Sequence, residues 1–168
     1  MASPTAMNRD WISTEFSRGV DAEKDLLDDS KARSESPPDP SLGVLYHEIA
    51  AADERHRTIV ETIATRYGHV PARSVSGGIG ETLGRLKDKV SEMGSSPMQL
   101  ISHDLSMKAN AVHWSTAWVQ AFEAIGDAES ARELSVVLTE QKSHVVALQD
   151  GLNRMVLQGA SGGEVAAK

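Results

Sequence analysis

Asp53 and His56 are the residues in this chain whose types and spacing first suggest chemistry. They stand one helical turn apart within 41–68, SLGVLYHEIAAADERHRTIVETIATRYG. The apolar stripe of that stretch, Leu45, Ile49, Ala52, Ile59 and Ile63, repeats at three- and four-residue steps, and His56 falls inside it with Asp53 on nearly the same face. A carboxylate and an imidazole aimed at a core must be hydrogen-bonded or must hold a cation, because burying them bare is costly. The spacing therefore prepares either a buried polar layer or a metal site.

Three other stretches carry a polar residue at the same kind of position. Glu23 lies between Val20 and Leu27, Lys108 between Leu105 and Val112, and Gln141 between Leu138 and Val145, with His144 one turn on at the edge. Glu23 precedes the turn at Pro37 by about as much as His56 follows Ser41, and Lys108 and His144 are equidistant from Gly126. Residues equidistant from a helical turn lie at one height in an antiparallel pair, so all six should meet near mid-bundle.

Other chemistries find no support. The chain has no cysteine, which removes disulfides, thiolate metal sites and a thiol nucleophile. The glycine-rich Ser74–Gly80 lacks the Lys-Ser/Thr of a phosphate-binding loop, and there is no G-x-S-x-G element. A net charge of −7 argues against nucleic acid or an anionic membrane as partner. Residues 1–14 have no apolar signal-peptide core and no run reaches membrane-spanning length, so the expected location is the cytoplasm. No small-molecule substrate is indicated.

The elements that must position the six residues follow from periodicity and breakers. With few aromatics and no alternating strand pattern, the 168 residues read as one all-α domain. The first helix is expected over 11–34, with Phe16, Val20 and Leu27 inward, Ile12 at its edge and Gly19 as a weak point. Pro37-Pro38-Asp39-Pro40 stops it. The second helix ends at Gly68, a C-terminal cap. The third is expected over 97–125, with Ser96 as N-cap and Pro97 at its first position, and the fourth over 128–157 beyond a tight Gly126-Asp127 turn. Residues 1–10 read as a flexible arm, 11–157 as the bundle and 158–168 as a disordered tail. A segment over 79–93 is amphipathic through Ile79, Leu83, Leu86 and Val90, a short crossover helix.

The third helix has a second apolar face of Met107, Trp114, Trp118, Ala121 and Ile125. Either the crossover segment or a second copy of the chain must cover it, the latter giving a homodimer through Trp114 and Trp118.

Two antiparallel hairpins joined by a long crossover, with GVDAE (19–23), ADERH (52–56) and EQKSH (140–144), resemble the ferritin-like superfamily over about 15–157. The likeness is to small bacterial families of undefined or stress-related function and, more distantly, to rubrerythrin. The resemblance implies a four-helix bundle around a di-iron site built from Glu, Glu-x-x-His, Glu and Glu-x-x-His. Glu23 matches the first acid, Asp53-x-x-His56 the second motif with a shorter acid, and His144 the last histidine. Lys108 stands at the height where a carboxylate belongs, Gln141 replaces the last Glu, Glu140 points further from the core, and Asp104 is the nearest other acid on that helix. Two carboxylates and one added cation bring too little negative charge for two metal ions. The expectation is a non-catalytic, stress- or scaffold-related bundle with a Glu23–Lys108 ion pair near Asp53 and His56. The alternative is iron or another divalent metal held by Glu23, Asp53, His56 and His144, handling iron or peroxide.

Overall fold

The computed structural model describes residues 9–70 and 96–162. Four long helices make up almost all of them: α1 (Arg9–Glu35), α2 (Gly43–Arg66), α3 (Pro97–Ile125) and α4 (Ala128–Gly162). A 3-10 turn over Pro40–Leu42 leads into α2, with the Asp39 side chain accepting from Ser41 N at 2.8 Å. The expected crossover helix over 79–93 and the Ser74–Gly80 loop lie outside the described residues, as do 1–8 and 163–168. Among the described residues, α1 begins before Trp11, and α4 runs past Leu157 to Gly162, into the first residues of the stretch expected to be a disordered tail.

Local chemistry fixes the helix ends. Ser96 accepts from Gln99 N while the Gln99 side chain accepts from Ser96 N, a reciprocal cap that meets two otherwise unpaired donors, and Pro97 loses nothing at the first position. Gly68 and Gly126 both take positive φ, 95° and 81°. In each case the next two N–H groups fold back onto the last helical turn: Gly68 N to Thr65 O and His69 N to Ala64 O, then Gly126 N to Glu123 O and Asp127 N to Phe122 O. Asp127 then caps α4 through Ser130 N (3.1 Å) and receives the Tyr67 hydroxyl (2.6 Å), tying the end of α2 to the start of α4.

Side-chain contacts give the helix directions. The start of α1 meets the end of α3 through Phe16, Trp118 and Phe122, and its end meets the start of α3 through Arg33 and Asp104. The end of α2 meets the start of α4 through Arg66 and Glu133, and its start meets Gly151 near the end of α4 through Leu42. Every neighbouring pair is therefore antiparallel, while α1–α4 and α2–α3 are the parallel diagonals. Tyr67 and Ser96 consequently sit at opposite ends of the bundle.

The apolar core is divided. One cluster, Phe16, Val60, Ile63, Trp118, Phe122, Leu134 and Val137 among others, fills the end near the Gly126 turn. A smaller one, Leu42, Tyr46, Ile49, Ile101 and Leu148, fills the other end. Between them lie the buried polar residues.

The tryptophan face is covered by a partner the sequence did not suggest. Trp118 is buried and Trp114 half-buried, both packed against Phe16 of α1 with ring centroids 5.0 Å apart. Gly19 is the reason they fit: a Cβ there would stand 1.9 Å from Trp114 Cζ2. The glycine that weakens α1 as a helix lets it dock on α3.

Candidate functional site: a buried polar layer

One residue or pair from each helix forms the layer, as the sequence predicts. Glu23, Asp53, His56, Lys108 and Gln141 are all buried, and Asp53, His56 and Gln141 are wholly so. His144 is half-buried at the margin, its ring centroid 6.1 Å from that of His56. Ser115, about two turns along α3 from Lys108, also belongs to the layer and was not anticipated. Its small side chain sits on an apolar helix face, where serine alone carries little signal.

The pairing differs from the expected one. Lys108 Nζ donates to Asp53 Oδ1 in a close hydrogen-bonded ion pair, so its partner is Asp53 and not Glu23. Glu23 Oε1 instead accepts from Gln141 Nε2 at 2.8 Å, and Gln141 Oε1 accepts from Ser115 Oγ at 3.0 Å. Gln141 is thus oriented by a donor on one side and an acceptor on the other. His56 Nε2 reaches Glu140 Oε2 at 2.8 Å, and Arg55 holds the same oxygen at 3.0 Å. Glu140 therefore does approach the site, from its half-exposed edge. The i,i+4 spacing of Glu140 and His144 was the signal for it.

Protonation follows from burial and charge. Burial pushes the Glu23 carboxyl up, against the lowering effect of His56 and Lys108. Burial also acts to raise Asp53, but His56, Lys108 and Ser30 outweigh it and hold that carboxyl below the usual range. Burial and the charge of Lys108 push His144 down to about 4, leaving its ring neutral. Glu140 is likewise raised by partial burial but held lower overall by His56 and Arg55.

Among the described residues, four buried side-chain atoms are without a hydrogen-bond partner: Glu23 Oε2, Asp53 Oδ2, His56 Nδ1 and His144 Nδ1. His56 Nδ1 lies 3.5 Å from Asp53 Oδ1, the oxygen that accepts from Lys108. These atoms are what a cation would use, but the donor set does not fit a di-iron centre. An ammonium already occupies Asp53, helix α3 contributes no carboxylate at this height, and α4 contributes an amide at Gln141 and, at the edge, a Glu140 carboxylate already held by Arg55. Among the described residues no three His, Asp or Glu side chains converge as metal ligands.

A second buried cluster lies one turn or more toward the other end. Arg33 Nε and Nη2 bind Asp104 Oδ2 and Oδ1 at 3.0 and 3.3 Å, and Tyr46 Oη donates to Asp104 Oδ2 at 2.7 Å. Burial, followed by the Asp104 charge, raises Tyr46 and keeps its hydroxyl a donor. Between this cluster and the layer is a cavity of about 20 Å³, lined by Ser30, Arg33, Tyr46, Asp104, Met107 and Lys108 among others, which has room for a water molecule.

No protein-family model, curated protein or solved structure matches the chain. The reading of function therefore rests on the layer itself. Among the described residues no helix is long and apolar enough to cross a membrane.

Proposed function

We propose that this chain is a ferritin-like bundle in which an internal ion pair replaces the di-metal centre, and that it serves a non-catalytic, stress- or scaffold-related role. The observation that carries this reading is the Lys108–Asp53 pair. Lys108 puts a positive charge against the carboxylate where a metal would stand, and does so from the helix that should supply another ligand. The layer then needs no metal for charge balance. The up, down, down, up order of the helices supports the ferritin-like part of the reading, because it requires a connection running the length of the bundle between α2 and α3.

Metal analysis after anaerobic loading with Fe(II) and desalting tests it. The wild type retains no stoichiometric iron, whereas Lys108→Glu, which exchanges the cation for a carboxylate, gains iron binding. Two irons per chain in the wild type would end the proposal. No gain in a folded Lys108→Glu protein would mean that Gln141 or the geometry blocks the site as well.

A second reading is favoured by the four unpartnered atoms. Glu23, Asp53, His56 and His144 would then hold a single divalent ion such as iron after side-chain rotation, and the protein would handle iron or peroxide. One retained metal per chain, lost in His56→Ala, would select it. Self-association through Trp114 and Trp118 is left with less surface, since α1 buries Trp118 and half-covers Trp114. A strict monomer by light scattering removes it.

A further inference from the structure

We propose that two copies of this chain exchange hairpins. In the exchanged dimer α1–α2 of one copy carries α3–α4 of the other, and each polar layer is built from two chains.

The bundle divides along one plane. α1 packs closely along α2, and α3 along α4, while the two hairpins stand further apart. The groups that hold the hairpins together are complementary across that plane. One side supplies Glu23, Arg33, Asp53 and His56, whose partners on the other are Gln141, Asp104, Lys108 and Glu140 respectively. Both apolar clusters also draw on both hairpins. Neither hairpin satisfies its buried charges alone, so each needs a complement. The contacts are the same whether that complement comes from its own chain or from a second copy.

The connection between α2 and α3 favours the second copy as concentration rises. Tyr67 Oη donates to Asp127 Oδ2, so α2 ends at the level of the Gly126 turn. Ser96 caps α3 at its other end, 29 residues away from that turn, which is about 43 Å. Within one chain the 27 residues 69–95 must cover that distance. A flexible connection of this length has a root-mean-square reach of about 30 Å. Closing the bundle within one chain therefore stretches it, and holds the effective concentration of one hairpin at the other to about 1 mM. Two bundles lying side by side and antiparallel place the end of α2 in one beside the start of α3 in the other. Each connection then spans about one bundle width, roughly 20–25 Å for two helix diameters, which is within its relaxed reach. The exchanged dimer keeps every contact of the layer and relaxes both connections, so it is expected from on the order of 0.1 mM upward.

Exchange needs only the helix order and the contacts between hairpins, and stands apart from the ferritin-like reading. Charge reversal tests it on full chains. Asp53→Lys sets two cations together in the layer, and Lys108→Asp sets two carboxylates together, so neither variant alone has a complementary pair as monomer or dimer. Unfolded in urea, mixed and refolded at about 0.1 mM, the two form an exchanged heterodimer. One of its bundles holds the native Asp53–Lys108 pair and the other holds the pair reversed. The expected result is a 1:1 dimer by native mass spectrometry, with a helical signal and a urea midpoint that neither variant reaches alone. A chain carrying both substitutions shows whether the reversed pair folds. Where it does not, recovery of half the wild-type helical signal is expected, from the native-paired bundle. A mixture that behaves as the sum of its separate components overturns the proposal, and so does a dimer through the Trp114 face, which recovers nothing on mixing. Wild-type protein refolded at about 1 mM is expected to be dimeric by light scattering, and a strict monomer there also overturns it.

Discussion

Substitution of Gly19 by alanine sets two effects of opposite sign against each other. Alanine in the interior of α1 is worth about 1 kcal/mol in helix propensity over glycine. The added Cβ, however, would lie 1.9, 2.4 and 2.6 Å from Trp114 Cζ2, Cη2 and Cε2, inside the indole ring. The ring must leave its site. It then gives up its pairings with Phe16 (5.0 Å) and Trp118 (6.2 Å). Two such pairs are worth about 1–3 kcal/mol together, and forcing a methyl group into a packed contact costs a further 1–3, roughly. Steric loss wins, and the net destabilisation is about 1–5 kcal/mol once propensity is subtracted. Urea denaturation followed by far-ultraviolet circular dichroism should show a midpoint lower by roughly 1 M, given slopes of about 1–3 kcal/mol/M for proteins of this size. The control is Trp114→Ala. In that background the obstruction is gone, so Gly19→Ala should stabilise. A Gly19→Ala midpoint above wild type in the native background would refute the docking of α1 on the tryptophan face. It would also undermine the height assigned to Glu23, one turn further along the same helix.

Two further perturbations probe the interior. His144 is neutral in the fold with a pKa pushed down from 6.5 to about 4, burial first and Lys108 second. The unfolded chain takes up a proton in that window that the folded one refuses, so stability present above pH 6.5 is lost as pH falls toward 4. His144→Leu should flatten the dependence of Tm on pH across that interval, and an unchanged slope would assign the acid sensitivity elsewhere. Arg33→Met strands the buried Asp104 carboxylate and should cost about 3–5 kcal/mol, whereas Tyr46→Phe removes one bond to a charged acceptor and should cost about 1.5–3. Chemical denaturation of both variants checks the order, and the reverse order would contradict the pairing described.

Much of this was readable from residue pattern. The four helices, the Ser96-Pro97 start and the Gly68 and Gly126 stops follow from short-range rules, because caps and breakers act within a few residues. The polar layer was readable too, since a charged residue inside an apolar stripe has to be met by something at its own height. Three things were not. The frame of α2 is turned slightly from the expected stripe: Tyr46 and Val60 are buried, while Leu45 and Ile59 are only half-buried. Tyr46 turns inward because Asp104 offers its hydroxyl an acceptor, a contact 58 residues away that periodicity cannot weigh. The partner of Lys108 was also unreadable. Glu23 and Asp53 stand at one height, and the choice between them depends on side-chain reach and on Gln141, which engages Glu23 first. Arg33 carries no sequence signal of its own, because the helix dipole alone would explain a cation in the last turn of α1.

The division of the core into two apolar clusters shows what the layer does for the fold whatever its chemistry. Apolar clusters tolerate sliding, since one aliphatic contact substitutes for another at little cost. The polar contacts do not. Lys108–Asp53 spans the α2–α3 diagonal, Gln141–Glu23 the α1–α4 diagonal, Ser115–Gln141 joins α3 to α4, and His56–Glu140 joins α2 to α4. A slip of any one helix by a turn, about 5.4 Å, would break at least one of these contacts and leave a buried charge or amide unpaired. At the α1–α3 seam Arg33–Asp104 imposes the same constraint. All four helices are thus locked in register by polar contacts, while the two apolar clusters supply the burial. A layer with that duty has reason to persist whatever else it does, because losing it would free the helices to slide.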